Sequence, residues 1–112
     1  MDTSNTVILV TNYGMGKSDE ALQTKLLGKY LELIAEGGLL PNSICFYTDG
    51  VKCVTADSPV LEQLKTIEEK GVRLIVCSTC LEYLELEAAV GIVGGMTDII
   101  EAQFSSEKVI TL

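Results

Sequence analysis

Val72-Arg73-Leu74-Ile75-Val76 runs without a gap into Cys77-Ser78-Thr79-Cys80, and a short helix continues through Leu84. An apolar β-branched run that stops at a turn and opens a helix predicts a strand buried on both faces. Outward from it the same alternation repeats. Upstream lie a helical stretch ending at Gly71, with Val60, Leu64 and Ile67 on one face, and the strand Ile44-Cys45-Phe46-Tyr47. Ser58-Pro59 predicts that helix's start, with Ser as N-cap and Pro at the first helical position. Asp49-Gly50 reads as a turn. Further upstream, Val7-Ile8-Leu9-Val10 is a strand broken by Asn12-Tyr13-Gly14-Met15-Gly16. Its helix starts near Ser18, and Leu22, Leu26, Tyr30, Leu33 and Ile34 recur at helical spacing. Ser18 reads as the cap, Gly37 as the stop, and Gly28 as a point of close packing on the sheet.

Downstream, a weaker strand covers roughly Val90 to Val93 and ends at Gly94-Gly95. A helix from about Asp98 to Phe104 and a last strand, Val109-Ile110-Thr111, complete the pattern. Continuous apolar strands joined by crossover helices define an α/β fold: a three-layer α/β/α sandwich with a mainly parallel sheet of about five strands. The length of 112 residues suits one domain over residues 1–112, with 1–6 as a short leader.

Composition excludes several functions. Eight Lys and Arg against sixteen Asp and Glu leave a formal charge of −8. Without basic surface or a basic run, neither nucleic acid nor anionic membrane is an expected partner. No apolar stretch is long enough to cross a bilayer, and no basic region precedes the first apolar run. Four cysteines, two of them in strand-like runs, fit a reduced cytoplasmic protein better than a disulfide scaffold. There is no histidine. That removes imidazole acid–base catalysis and every Ser-His or Cys-His pair.

In parallel α/β sheets, ligands bind beyond the carboxyl ends of the strands. That rule selects Asn12 to Lys17, Thr48 to Cys53, Cys77 to Cys80 and Gly94 to Thr97. The sharpest signal is Cys77-Ser78-Thr79-Cys80. A thiol where a strand ends and a helix opens meets free backbone N–H groups, which favour its thiolate. Cys77 is therefore expected to react first and Cys80, about a turn further on, to resolve what Cys77 carries. The plainer reading makes Cys77 a buried strand residue and Cys80 a helix core residue, since free cysteine is often buried. Gly14, Met15, Lys17, Gly50, Lys52, Cys53, Ser78, Thr79, Gly95, Met96 and Thr97 are expected to line the same edge. Lys17 and Lys52 would supply positive potential, or be ordinary exposed lysines. Met15 and Met96 would line an apolar pocket or fill gaps.

Other motifs fit less well. A four-thiolate zinc site has only one closely spaced pair, and Cys45 falls inside a strand, so no metal is expected. A thioredoxin-like reading lacks the proline that fold sets beside its CxxC. Gly14-Met15-Gly16-Lys17-Ser18 fails the phosphate-loop pattern because Thr11 stands where a glycine is required. Its dinucleotide counterpart fails at Asp19. Glu82, Glu85 and Glu87 read as a solvated face.

Gly14-Met15-Gly16-Lys17 with Asp19-Glu20, Leu40-Pro41, Gly50-Val51-Lys52, Val60-Leu61 through Leu64, Glu69-Lys70-Gly71-Val72, Cys77-Ser78-Thr79-Cys80-Leu81 and Lys108-Val109-Ile110-Thr111-Leu112 follow one another in family order. In these the chain resembles the DsrE-like sulfur-relay proteins, specifically the DsrE-like domain of YedF-type selenium-metabolism proteins. The resemblance implies a five-stranded parallel sheet, homo- or hetero-oligomers, and a cysteine after the third strand that carries sulfur as a persulfide. Cys77 matches that position and Cys80 the second cysteine of the CxxC branch. It implies no cofactor and a sulfur-donor or sulfur-acceptor protein as partner, including a TusA-like carrier. Two features depart from the family pattern. Only Met1 to Thr6 stand where the family usually has a TusA-like domain, and Cys53 replaces an apolar residue. Two functions follow: a persulfide carrier of the sulfurtransferase type, or a non-enzymatic module that positions another sulfur or selenium carrier.

Overall fold

The computed structural model describes all 112 residues. In chain order the elements are β1 (Thr6–Val10), α1 (Glu20–Glu36), β2 (Ser43–Phe46), a 3₁₀ helix (Thr48–Val54), α2 (Leu61–Glu69), β3 (Arg73–Cys77), α3 (Ser78–Leu84), β4 (Ile92–Gly94), α4 (Met96–Phe104) and β5 (Lys108–Thr111). The sheet has five strands in the order β4-β3-β2-β1-β5, and every neighbouring pair is parallel.

Register sorts the strand residues onto two faces. Ile8 stands opposite Ile44 and Ile110, and Ile44 opposite Leu74, so these four share a face. Tyr30 and Ile34 of α1 wall a small cavity together with Ile8 and Ile110, which puts α1 over that face. Helix α2 packs beside α1. From β1 to β4 the chain steps one way across the sheet; from β4 to β5 it returns across it. Right-handed crossovers therefore put α4 on the opposite face, over Val7, Leu9, Cys45 and Ile75. All residues of β1 and β2 are buried, which is why, after Thr6 and Ser43 at their starts, their sequences are unbroken apolar runs rather than alternating.

Five local readings are corrected. Asp19, not Ser18, caps α1, its carboxylate accepting the Leu22 N–H at 3.0 Å. Two apolar stripes run along α1, and the sheet takes Leu27, Leu31 and Ile34 while Leu22, Leu26 and Leu33 face outward. Gly28 faces α2 rather than the sheet: a Cβ there would meet Gln63 Nε2 at 3.4 Å and Val60 Cγ1 at 3.5 Å. The turn at Asp49-Gly50 is part of a seven-residue 3₁₀ helix. Helix α2 begins at Leu61; Ser58 Oγ instead accepts the Val60 N–H in the turn before it.

Candidate functional site

Strand β3 delivers Cys77 to the carboxyl edge of the sheet, opposite Gly94 of β4, and α3 starts at the next residue. Because Ile75 and Cys77 alternate with Leu74 and Val76, the Cys77 side chain lies on the α4 face of the sheet. It is only 2% exposed. Cys80, one turn into α3, is partly exposed and lines a shallow cleft of about 360 Å³ with Thr48, Asp49, Thr79, Tyr83 and Leu84. Access thus runs opposite to the order in which the sequence ranked the two thiols.

Thr48 connects the two sides of the cleft. Its backbone N–H donates to Cys80 Sγ at 3.1 Å. Burial, and then the neighbouring Cys77 thiol, push the Cys80 thiol above its ordinary value, while the Thr48 N–H pulls it down. Thr48 itself has φ of 51°, a left-handed conformation that is costly for a β-branched residue. Its hydroxyl holds the conformation, lying 2.7 Å from the Thr11 carbonyl and 2.6 Å from that of Tyr47.

The other expected lining residues divide into three groups. Gly14 and Gly50 are structural. A Cβ on Gly50 would lie 1.9 Å from the Val10 carbonyl oxygen, and one on Gly14 would lie 2.3 Å from the Gln23 carbonyl carbon. Met15 packs on the core, and its N–H donates to Gln23 O at 2.9 Å. Cys53 is fully buried under the first loop, Sγ 3.7 Å from Asn12 O, and faces no cleft. Burial pushes its thiol up to about 12, and that of Cys45, inside β2, up to about 11. Lys52 pairs with Asp49 at 3.2 Å, so its charge is already engaged beside the cleft. Lys17 is exposed on the first loop and lies outside the cleft.

Ser78 and Thr79 form the first turn of α3, with Thr79 in the cleft wall. Gly95 caps α4, its N–H donating to Asp98 Oδ2 at 2.8 Å, and Met96 and Thr97 follow as exposed residues of the first turn. Sequence reasoning placed Thr48 and Asp49 in a selected segment without naming them as site residues, and it did not single out Tyr83 or Leu84. Tyr83 and Leu84 carried a signal, lying three and four residues after Cys80 on the same helix face. No group of three or more Cys, Asp or Glu side chains is arranged to hold a metal ion.

A parallel five-stranded α/β domain with a thiol pair where its third strand meets a helix defines the class. The model of the DsrE/DsrF-like family matches residues 5–112, and the chain belongs to that family, which is generally associated with sulfur relay among partner proteins. Two solved structures share the fold. The ychN protein from E. coli superposes with a TM-score of 0.70 at 16% identity, over 97% of this chain and 99% of that one. MTH1491 from Methanobacterium thermoautotrophicum, described as a protein of unknown function, gives 0.68 at 20% identity, over 96% and 97%. No curated protein matches the sequence significantly.

Proposed function

We propose that the chain is a sulfane-sulfur carrier that holds sulfur as a persulfide on its CxxC and relays it by thiol exchange. The observation that carries this reading is the placing of Cys77 at the end of β3 and of Cys80 one turn into α3, at the wall of an open cleft. A persulfide on one thiol is then within reach of the other, which can take over the outer sulfur or form the disulfide and release sulfide. Such exchange needs no metal and no organic cofactor. A nearly closed Cys77 suits storage, since water and stray thiols are kept from the bound sulfur. Donor and acceptor are other proteins, a TusA-like carrier among them.

Four free cysteines support a reducing, cytoplasmic setting, and no helix is long and apolar enough to cross a membrane. A homo-oligomer is part of the same proposal. Met96, Ile100 and Phe104 form an exposed apolar stripe on α4, beside Ile92 of the edge strand β4. The same stripe favours the second reading, a module that docks and positions another sulfur or selenium carrier. Incubation with a sulfane-sulfur donor, followed by intact mass, separates the two. A carrier gains one sulfur atom on the CxxC, and a docking module gains none.

A further inference from the structure

We propose that incoming sulfur bonds first to Cys80 and is then passed inward to Cys77, with Thr48 positioning Cys80 for both steps. This rests on the carrier reading above and adds its direction. A donor persulfide must bring its outer sulfur into contact with the attacking thiolate. Cys77 offers almost no surface for that contact, whereas Cys80 opens on the cleft.

In the first step the Cys80 thiolate attacks the outer sulfur of R–S–SH. The donor's S–S bond breaks as the new one forms, giving Cys80–S–SH and R–S⁻. In the second, the Cys77 thiolate attacks that same outer sulfur. Cys77–S–SH forms and Cys80 leaves as its thiolate. Sulfane sulfur is transferred twice with no net oxidation or reduction, so neither an oxidant nor a reductant is consumed.

Thr48 gives this order a structural basis. Cys80 begins the first step and ends the second as a thiolate, and the Thr48 N–H is aimed at that sulfur from 3.1 Å. A hydrogen bond to the charged form both raises the thiolate fraction for attack and improves Cys80 as a leaving group. The N–H lies in the Tyr47–Thr48 peptide plane, where the chain enters its left-handed turn at φ 51°. The hydroxyl contacts to Thr11 O and Tyr47 O fix it there. A β-branched residue in so unfavourable a conformation, spanning from the end of β2 to α3, is thus a positioning residue.

The geometry also argues against small anionic donors as the preferred source. The cleft is lined by the Asp49 carboxylate, and the one lysine beside it is paired with that carboxylate. No free cation faces Cys80 there, so a persulfide with an uncharged or cationic approach surface fits best.

The test is rapid mixing of the full chain with cysteamine persulfide, a small cationic donor, quenching by alkylation, and mapping of the added sulfur by peptide mass spectrometry. Sulfur should appear on Cys80 before Cys77. Cys77→Ser should load Cys80 no more slowly than the wild type and stop there, while Cys80→Ser should slow loading of Cys77 by about tenfold or more. Sulfur on Cys77 first, or an unslowed Cys80→Ser, would overturn the direction and leave the carrier reading standing. No sulfur on either thiol of the wild type would overturn the carrier reading itself, and the proposed order with it.

Alkylation without any sulfur supplies a separate arm. In the folded protein iodoacetamide should label Cys80 ahead of Cys77, and the reverse order would again refute the direction. Thr48→Ala should move the pH inflection of Cys80 labelling upward, and Thr48→Ser, which keeps the hydroxyl, should restore it. An inflection unmoved by Thr48→Ala would remove Thr48 from the account.

Discussion

The Thr48 N–H and Cys80 Sγ stand 3.1 Å apart although 32 residues separate them in the chain. The link ties the end of β2 to the first turn of α3, so the cleft between them has one wall from each crossover. It also makes the chemistry of Cys80 depend on backbone geometry as well as on its own helix.

The pH dependence of Cys80 follows from its surroundings. Because burial and Cys77 together raise its thiol, labelling of Cys80 by iodoacetamide should still be accelerating above the ~8.5 inflection of a free cysteine. Cys77→Ser removes one of the raising contacts, so its inflection should move down. An inflection below that of free cysteine in the wild type would contradict the described environment.

Stability should fall with alkalinity. Above about pH 8.5 the unfolded chain gives up thiol protons that folded Cys45 and Cys53 retain up to about 11 and about 12. The unfolded state then binds fewer protons, so unfolding becomes easier as pH rises. Cys53 alone should account for roughly 1.4 kcal/mol of stability lost per pH unit in that window. Urea melts at pH 8, 9 and 10 measure the slope, and Cys53→Ala should flatten it by that amount. Equal slopes in the two proteins would show that the thiol is not protected.

Ser43 begins β2 fully buried, and its hydroxyl has no hydrogen-bond partner. Replacing it removes an unsatisfied polar group without opening space larger than one oxygen. Ser43→Ala should raise the unfolding free energy by about 1 kcal/mol, read as a higher urea midpoint at unchanged slope. A loss of similar size would mean that the hydroxyl is bonded after all.

Gly50 is the position least able to accept a side chain. With a Cβ placed 1.9 Å from the Val10 carbonyl oxygen, the 3₁₀ helix would have to leave β1. Gly50→Ala should therefore cost more than about 3 kcal/mol, near the exceptional end for a point change. Gly16, where a Cβ meets nothing within 4 Å, is the control; its Ala variant should lose only the cost of its positive φ of 72°.

The strand–helix alternation and the sheet edge that carries the CxxC were legible because buried parallel strands need unbroken apolar runs. Helix α1 shows the limit of that reading. Leu27, Leu31 and Ile34 and the exposed Leu22, Leu26 and Leu33 both follow helical spacing, and only tertiary packing selects between them. The plainer sequence reading already had Cys77 buried, but the contrast in exposure between the two thiols was beyond a linear reading. It depends on the side of the sheet to which Cys77 points and on a 3₁₀ helix that Thr48-Asp49-Gly50 does not announce.

The outward face of α4 should be an assembly surface. Phe104 is 85% exposed at the end of the stripe begun by Met96 and Ile100. If copies of this chain meet there, light scattering should give a dimer or trimer at micromolar concentration, and Phe104→Glu with Ile100→Glu should yield a folded monomer. A wild-type monomer would remove the oligomer from the proposal.

The central claim is that sulfane sulfur resides on the CxxC. Intact mass of the full chain after exposure to a persulfide donor, with the adduct mapped by peptide, tests it most directly. The account predicts one added sulfur on Cys77 or Cys80, lost entirely in the Cys77→Ser, Cys80→Ser double variant. An adduct that persists in that variant on Cys45 or Cys53, or no adduct on the wild type, would contradict it.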